Sequence, residues 1–426
     1  MAPHRLIVVD PGHFHAALVQ KEMYPDIAPR VRVYAPLGPD LLDYLTRIAR
    51  FNARPESPTC WEMDIQAGPD FLARLGREEP GGIAVLSGRN RGKLERIRAA
   101  VEAGLHVLAD KPAIVRGEDL PALEEVLRLA RERRRIVLDM MSGRYGAVPR
   151  LTQALHADPE LFGEQIAGSE DDPGVAIASV HHLMKQVAGV ANPRPPWYFD
   201  VAQQGEGLAD VGTHLVDRAH ETLFPGAALD WRGDIRLHAA ERWPTPVAAD
   251  QFREVTGEAR WPDFLLPSVS GDRLDLFCNG RACYEVRGVT VRIEIEWRWQ
   301  AEPGADDAHS ACFRGSRARL ETRQGAAERY RAELYVVPQA DIAAALHRRV
   351  AALQTDFPGL GLEARGGEWR LLIPDALRID HDTQFLRLTR RFLGYVADPA
   401  SFPQREAANL LAKYRVTTEA VALSRR

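Results

Sequence analysis

The chain has 426 residues, a formal net charge of −4 and an ordinary globular composition, with 45% hydrophobic and 27% charged residues. This length suits two domains or one domain with large elaborations, and a charge balance without a basic block argues against nucleic acid as a partner. The first apolar run, Leu6–Val9, is too short for a signal peptide or a membrane span, and no candidate span follows. We therefore expect a cytoplasmic protein without a membrane partner.

The first 145 residues alternate short apolar runs with helical patterns, which predicts a parallel α/β sheet. Six strands are predicted, at Leu6–Val9, Val31–Tyr34, Trp61–Ile65, Ile83–Leu86, Leu105–Ala109 and Ile136–Met140. Helices are predicted over Phe14–Met23, Leu41–Phe51, Gly92–Ala103 and Pro121–Arg134. Residues 1–145 are thus expected to form a dinucleotide-binding domain of the Rossmann type.

Residues 146–426 are dominated by longer alternating strands. From Val289 to Trp299, apolar residues occupy every second position with mostly charged residues between them, which predicts a half-exposed antiparallel strand. Asn279-Gly280 predicts a hairpin turn shortly before that strand. The four cysteines include no C-x-x-C pair, so we expect reduced thiols.

The remaining elements of this second part complete an α+β pattern. Further strands are predicted at Val175–Val180, Arg317–Thr322, Glu333–Val337 and Trp369–Ile373. Helices are predicted at Leu208–Thr222, Asp341–Gln354, His381–Tyr395 and Arg405–Ser424. We expect an α+β domain with a large open antiparallel sheet, whose free face packs in a homodimer or homotetramer.

A turn with a single glycine follows the first strand, in Asp10-Pro-Gly-His-Phe-His15. Dinucleotide-binding turns use G-x-G-x-x-G, and only the middle glycine, Gly12, is present. His13 and His15 form an H-x-H pair that could suggest a metal, but on a turn such a pair usually reflects local hydrogen bonding, so no metal is expected. Strand two lacks an acidic tip for the adenosine ribose, and Asp40 follows only six residues later, which leaves NAD versus NADP open.

Strand five leads into Asp110-Lys111-Pro112. This places an amine at the carboxyl edge of the sheet, where open α/β sheets bind ligands. The chain has only five lysines, and a partly desolvated lysine can lose its proton whereas an arginine cannot. Lys111 is therefore a candidate catalytic residue, with a surface loop lysine as the alternative interpretation.

A second group of polar residues lies between Gly205 and Asp217. Asp210 and His214 are spaced i, i+4, and Asp217 follows at i+7, so one helix stripe would carry all three. An aspartate so placed can hold an imidazole in one tautomer and raise its basicity, which suits a general acid/base. A buried structural His–Asp pair and a zinc site are the alternatives.

Taken together, these motifs resemble the glucose–fructose oxidoreductase / inositol dehydrogenase (Gfo/Idh/MocA) family. The resemblance rests on Asp110-Lys111-Pro112, on Trp197, and on the G-x-G-x-x-D-x-G-x-H-x-x-D pattern that ends at Asp217. Gly143-Arg-Tyr145 is similar to the family's Arg-aromatic pair after strand six. Leu410–Thr418 resembles an uncharacterised oxidoreductase-type C-terminal domain that is attached to some members.

The resemblance implies an oxidoreductase that uses NAD, or NADP, on a secondary hydroxyl of a sugar, cyclitol or sugar derivative. It implies a catalytic pair of Lys111 and His214, with Asp210 orienting the imidazole. The residues implied at the cofactor are Gly12, His13, Phe14, Ser87, Asn90, Asp110, Pro112 and Arg144. The residues implied at the substrate are His181, Lys185, Trp197, Tyr198 and Asp217.

Two departures from the family pattern keep other functions open. The phosphate-binding turn lacks two of its three glycines, and strand four ends in Ser87-Gly-Arg-Asn90 without the histidine that usually follows. One alternative is an NAD-dependent glycosidase or lyase that oxidises a hydroxyl transiently, with no net redox change. The other is a non-catalytic nucleotide or sugar sensor, against which the intact set of Lys111, Asp210 and His214 argues.

Overall fold

The computed structural model describes residues 3–187, 190–191 and 193–426. Its N-terminal part contains six strands: β1 His4–Val9, β2 Ile27–Ala35, β3 Glu62–Ala67, β4 Ile83–Leu86, β5 His106–Ala109 and β6 Val137–Asp139. The helices between them are α1 His15–Leu18, α2 Pro39–Ala53, α3 Phe71–Leu75, α4 Lys93–Glu102 and α5 Leu120–Glu132. All six predicted strands are therefore present, with shifted ends.

The six strands form one parallel sheet in the order β3-β2-β1-β4-β5-β6. Every residue of β4 and β5 is buried, as expected for short apolar strands covered by helices on both faces. Strands β2 and β3 are added on one side of β1, whereas β4, β5 and β6 are added on the other. Ligands of such sheets bind outside the carboxyl ends of the strands, near the point between β1 and β4 where this order reverses. The segments after β1, β4 and β5 therefore meet at the expected binding edge.

One predicted helix of this part is much shorter than expected. The pattern predicts a helix over Phe14–Met23, whereas α1 ends at Leu18 and irregular turns follow. Gln20 explains the early end in part, because its side chain is fully buried and accepts a hydrogen bond from the Tyr44 hydroxyl on α2. Tertiary contacts thus override the local helical pattern.

The second part is built around a large mixed sheet. The strands of this sheet are β7 Val175–Met184, β10 Ile235–Ala248, β11 Val269–Ser270, β12 Arg273–Val286, β13 Val289–Gln300, β14 Ala308–Arg314, β15 Ala318–Gln324, β16 Glu333–Pro338, β17 Gly361–Arg365 and β18 Glu368–Leu372. Two short strands, β8 Gln186–Val187 and β9 Val190–Ala191, form a separate ribbon. The strand order of the large sheet is β10-β12-β13-β7-β14-β15-β16-β18-β17, with β11 on β12. All pairs are antiparallel except β13 with β7, so the expected open antiparallel sheet contains one parallel pair.

The hairpin turn predicted at Asn279-Gly280 is wrong. Both residues lie inside β12, and the turn into β13 occurs at Arg287-Gly288, where both residues have positive φ. Asn279 is only 2% exposed, and its side-chain oxygen accepts a hydrogen bond from the Trp297 main-chain N–H at 2.5 Å. This buried cross-strand contact explains why Asn279 lies within a strand, although Asn-Gly is typical of turns.

Helices of the second part are α6 Ala147–His156, α7 Val201–Gln204, α8 Gly212–Leu223, α9 Ala249–Thr256, α10 Ala343–Ala352, α11 His381–Ala397 and α12 Arg405–Ser424. The last two return to the parallel sheet. Apolar residues of α11, such as Phe385 and Phe392, join the core on one face of that sheet, and residues of α12 join the core on the other. Tyr414 of α12 donates its hydroxyl to Asp139 Oδ2 at 2.7 Å, at the end of β6.

The long strands leave an alternating surface. In β13, Val289, Val291 and Ile293 are buried, whereas the charged residues between Ile293 and Arg298 are partly or fully exposed. Association of this sheet into a homo-oligomer remains a prediction. Across the described residues, no helix combines the length and the hydropathy required to cross a bilayer.

Candidate active site

The segment after β5 places a lysine beside a buried carboxylate. Lys111, whose side chain is 11% exposed, donates from Nζ to Asp210 Oδ1 at 2.6 Å. The other Asp210 oxygen accepts from Gln204 Nε2 at 2.9 Å. Burial opposes ionisation of Asp210, but Lys111 and Gln204 hold its pKa below the usual value. The pair therefore fixes an ammonium group at the carboxyl edge of the parallel sheet.

The structure corrects the expected role of Asp210. This residue lies in the turn before α8, ahead of the helix stripe, and its carboxylate is occupied by Lys111. Within the described part of the chain, no hydrogen bond joins it to the His214 ring. Burial and the charge of Lys111 hold the pKa of His214 well below its usual value, and they outweigh the predicted raising effect of Asp210. The imidazole is consequently neutral at physiological pH and can accept a proton.

His214 opens into a cavity of about 420 Å³ between α8, the face of the mixed sheet and the start of α11. His181 and His309, from β7 and β14, line the same cavity. Their rings lie 5.2 Å apart, and burial, followed by the proximity of His181, lowers the pKa of His309 to about 4. With His381 at the start of α11, four imidazoles thus line a space large enough for a small polar molecule.

His181 belongs to a second charged group, centred on Asp307. Asp307 Oδ2 lies 3.0 Å from His181 Nδ1 and accepts from Lys185 Nζ at 2.5 Å, while Oδ1 lies 3.1 Å from His182 Nδ1. Burial opposes ionisation of Asp307, but the hydrogen bonds from His181 and Lys185 hold its pKa below the usual value. Within the described part of the chain, His181 Nε2 is buried and lacks a hydrogen-bond partner.

Two residues that the resemblance assigns to different ligands contact each other. Arg144 follows β6 and donates from Nε and Nη2 to both oxygens of Asp217, at 2.7 and 2.6 Å. Lys413 of α12 lies 3.4 Å from the same carboxylate and 2.8 Å from Asp139 Oδ2. Both Arg144 and Asp217 line the cavity. This buried network links α8 and α12 to the end of β6 and stabilises the cavity wall.

The phosphate-binding turn is covered by residues from two other segments. A Cβ on Gly12 would lie 3.1 Å from Asp40 Oδ2 and 3.2 Å from Trp197, so a larger residue here would crowd both side chains. Trp197 Nε1 donates to Asp40 at 3.0 Å, and Arg89 lies 3.1 Å from the same carboxylate. Asp40 thus folds back to the edge of the sheet. The main-chain N–H groups of Gly12 and His13 both donate to the Ser87 carbonyl at 3.0 Å.

Asp110 lies directly beneath this turn. Its Oδ2 accepts from Ser87 Oγ at 2.8 Å and lies 3.0 Å from Nδ1 of both His13 and His15. Phe14, between the two histidines in sequence, is 37% exposed at the edge. The histidine pair and the strand-five motif therefore meet across 95 residues of sequence.

Three further residues named from the resemblance have structural contacts. Asn90 donates from Nδ2 to the Gln204 carbonyl at 2.6 Å and accepts from Lys93, so its amide joins the two parts of the chain. Pro112 is buried beside Lys111. Tyr198 is buried with the Arg194 guanidinium 4.5 Å from its ring centre.

Sequence reasoning missed Asp307, the partner of His181, and four residues that line the cavity, namely His309, Arg218, His381 and Gln384. Asp307 follows a glycine- and acid-rich turn and precedes β14, a position without a recognisable motif. His309 begins an alternating pattern in β14, Ala308–Arg314, which could have indicated a strand. The contribution of α11 has no local signal, because it depends on the return of the chain to the parallel sheet.

Comparisons with known proteins agree with this architecture. A family model described as "Putative oxidoreductase C terminal domain" matches residues 151–425. A solved structure of a "putative oxidoreductase" from Parabacteroides merdae is 38% identical, covers 100% of this chain and 98% of that one, and superposes with a TM-score of 0.96. The uncharacterized oxidoreductase sll0816 of Synechocystis is 30% identical over 166 residues, so the match spans 39% of that protein and 38% of this chain.

More distant structures share the fold. The 3-ketoreductase KijD10 of Actinomadura kijaniata, solved with NADP and TDP-benzene, is 17% identical, with a TM-score of 0.59 over 99% of this chain and 97% of that one. At that identity the similarity concerns the fold alone. The family match covers more than half of the chain, including the large mixed sheet, and the Rossmann-type parallel sheet lies before it. The chain therefore belongs to the oxidoreductase family that carries this C-terminal domain on a Gfo/Idh/MocA-type fold.

Proposed function

We propose that the protein is a nicotinamide-dependent oxidoreductase that acts on a secondary hydroxyl of a sugar, cyclitol or sugar derivative. The observation that carries this proposal is the position of Lys111. Its ammonium group is fixed by Asp210 at the carboxyl edge of β5, close enough to His214 to lower the pKa of that imidazole. His214 in turn faces a cavity of about 420 Å³.

In the oxidising direction, His214 and Lys111 act on the same substrate hydroxyl oxygen. Neutral His214 accepts the hydroxyl proton, and Lys111 stabilises the negative charge that develops on the alkoxide oxygen. Asp210 positions the ammonium group of Lys111. A nicotinamide cofactor bound at this edge would supply the hydride acceptor.

The residues at the edge fit the adenosine half of such a cofactor. Asp40 and Arg89 line a second cavity of about 630 Å³ outside β2 and β4, together with Trp197. A carboxylate there can accept ribose hydroxyl hydrogen bonds, whereas an arginine can hold a 2′-phosphate. The presence of both supports either NAD or NADP, and the NADP in the KijD10 structure supports the cofactor class.

The polar lining of the cavity supports a substrate with several hydroxyl groups. Besides its four histidines, the cavity presents Gln324, Gln384 and the Arg144–Asp217 pair. Such side chains both donate and accept hydrogen bonds, which matches polyols better than apolar alcohols. Ile177 and Val211 supply apolar surface for a ring face.

A substrate panel tests the proposal. Purified protein is incubated with NAD or NADP and with glucose, methyl β-glucoside, myo-inositol or an aliphatic secondary alcohol, and nicotinamide absorbance is followed. We expect reduction with at least one sugar or cyclitol and none with the aliphatic alcohol. Tight NAD(P) binding with no reduction in any mixture, and no reverse reaction with keto-sugars, would favour the sensor alternative.

The Asp307–His181 pair favours a second candidate, an NAD-dependent glycosidase or lyase without net redox change. Such a reaction needs a second base, which removes a proton from the carbon next to the transient ketone. His181 Nδ1 is held by Asp307, and its buried Nε2 lacks a hydrogen-bond partner among the described residues. His181 lines the same cavity as His214. His181 would take the C–H proton at Nε2, and the leaving group would depart with the bonding electrons.

Mass spectrometry separates the two candidates. NAD that co-purifies with the protein, together with deuterium uptake from D₂O at the neighbouring carbon of methyl β-glucoside, would support the lyase or glycosidase. Free exchange of the cofactor and a stoichiometric keto product without deuterium would support the simple dehydrogenase. His181→Gln should abolish the exchange while leaving hydride transfer within a few-fold.

A further inference from the structure

His13, His15 and Asp110 form a compact group that the proposed redox step leaves unused. One ligand atom from each residue lies within 4.8 Å of the other two, and both histidine Nδ1 atoms lie 3.0 Å from Asp110 Oδ2. We propose that these three residues bind one divalent transition-metal ion at the carboxyl edge of β1 and β5. All three proposed ligands belong to the N-terminal part of the chain.

The donor set defines the class of metal. Two imidazole nitrogens and one carboxylate oxygen suit Zn²⁺, Fe²⁺, Co²⁺ or Ni²⁺ better than Ca²⁺ or Mg²⁺, which prefer oxygen ligands. Bonds of about 2.0–2.2 Å in tetrahedral geometry place neighbouring ligand atoms roughly 3.3–3.6 Å apart. The observed separation of 3.0 Å between each Nδ1 and Asp110 Oδ2 needs only a small outward shift.

Unsatisfied atoms distinguish this group from an ordinary hydrogen-bond network. His13 Nδ1 and Asp110 Oδ1 are both buried, and neither has a hydrogen-bond partner among the described residues. The contact of His13 with Asp110 Oδ2 is close, but it lies outside hydrogen-bond geometry. Buried polar atoms without partners are costly, and a metal ion would use the lone pairs of both.

A cation lies close to this group. Lys93 Nζ donates to the Asp110 main-chain oxygen at 2.9 Å, so its positive charge is held next to the proposed ligand carboxylate.

The site can be reached from the binding edge. The His13 side chain is 27% exposed, and three protein ligands leave at least one coordination position for water or an exogenous oxygen. The N–H groups of Gly12 and His13 are already engaged with Ser87. A bound cation would therefore provide the positive charge that a glycine-rich turn otherwise provides for an anionic ligand at this edge. This inference concerns metal binding and does not depend on the proposed reaction.

Cobalt binding tests the proposal without a substrate. Full-length, untagged protein is dialysed against a chelator and titrated with Co²⁺, and visible absorption and calorimetry are recorded. We expect one ion per chain, with d–d bands of a nitrogen- and oxygen-ligated site. His13→Ala, at a partly exposed position, should weaken binding at least about tenfold, because one of the three ligands is lost.

The matched control is His381→Ala. The His381 ring lies 5.2 Å from the His15 ring but is outside the ligand set, so this variant should bind Co²⁺ like the wild type. His15→Ala and Asp110→Asn should also weaken binding, with circular dichroism checking their folding. Wild-type binding that is absent, or that His13→Ala leaves unchanged, would overturn the proposal, even if the buried variants fail to fold.

Discussion

Asp210, which is buried, and Asp307, which is partly buried, are two lysine-paired carboxylates that differ in their contacts with histidine. Each accepts a lysine ammonium, from Lys111 at 2.6 Å and from Lys185 at 2.5 Å. Asp307 also holds His181 through Nδ1, whereas Asp210 makes no hydrogen bond to the His214 ring among the described residues. The i, i+4 spacing predicted a hydrogen-bonded pair of Asp210 and His214. The structure instead pairs Asp307 with His181, across 126 residues of sequence. Spacing along a helix therefore indicates proximity only where the helix includes both residues.

The Asp210 side of this comparison predicts the largest effect. Lys111→Ala should lower kcat by roughly 10²–10³-fold, because the charge that stabilises the alkoxide is lost. The fold should persist, since the side chain lies at a strand end rather than in a core. Steady-state kinetics on the sugar identified by the panel measures the effect. Lys185→Ala is the matched control, and equal losses in both variants would contradict the assignment.

The Asp307–His181 pair predicts a smaller effect, which histidine NMR can also detect. Asp307→Asn should reduce the deuterium exchange assigned to His181 roughly tenfold to hundredfold, because the His181 tautomer is no longer fixed by a carboxylate, whereas hydride transfer should stay within a few-fold. Histidine ¹⁵N NMR should show a protonated Nδ1 on His181 in the wild type and a mixture of tautomers in the variant. An unchanged tautomer with lost activity would indicate that Asp307 acts through folding alone.

The same contrast explains which features the sequence could predict. The parallel strands are short apolar runs that fit few other kinds of structure, so all six were predicted. The position of Lys111 at the carboxyl edge of the sheet was predicted because it follows β5. Asn279-Gly280 has strong turn chemistry, but burial against Trp297 overrode it. The early end of α1 likewise depends on a contact between Gln20 and Tyr44. Local patterns predicted elements well and failed where a distant partner decided the outcome.

Long-range pairing also explains the unpredicted parts of the candidate site. Asp307 lacks a motif, and the paths of α11 and α12 back to the parallel sheet have no local signal. His13 and His15 were read as a local turn, because their partner Asp110 lies 95 residues further along the chain. Gly12 illustrates the opposite case, because its closeness to Trp197 and Asp40 rationalises a glycine that the motif alone had identified.

Buried histidines outside the cavity predict a pH dependence of stability. Burial lowers the pKa of His220 from 6.5 to about 3, so the folded state keeps this ring neutral while the unfolded state binds a proton. Stability should therefore fall as pH decreases from 6.5 towards 3, by up to about 1.4 kcal/mol per pH unit for one such group. Urea unfolding at several pH values measures this slope. His220→Gln should reduce it, whereas His347→Gln, at an exposed position, should not.

The smallest effect concerns His214 and returns to the Asp210 pair. Burial is the main cause of its lowered pKa, and the Lys111 charge is the next. Lys111→Met removes that positive charge and should raise the pKa of His214, whereas Lys185→Met should leave it unchanged. Histidine ¹³C NMR titration of both variants follows the ring directly. The wild-type ring should stay neutral below pH 6.5, so the rate of oxidation should lack an inflection from His214 near neutral pH. An inflection near 6.5 that Lys111→Met leaves in place would indicate that the two side chains are uncoupled and that Lys111 acts apart from the base.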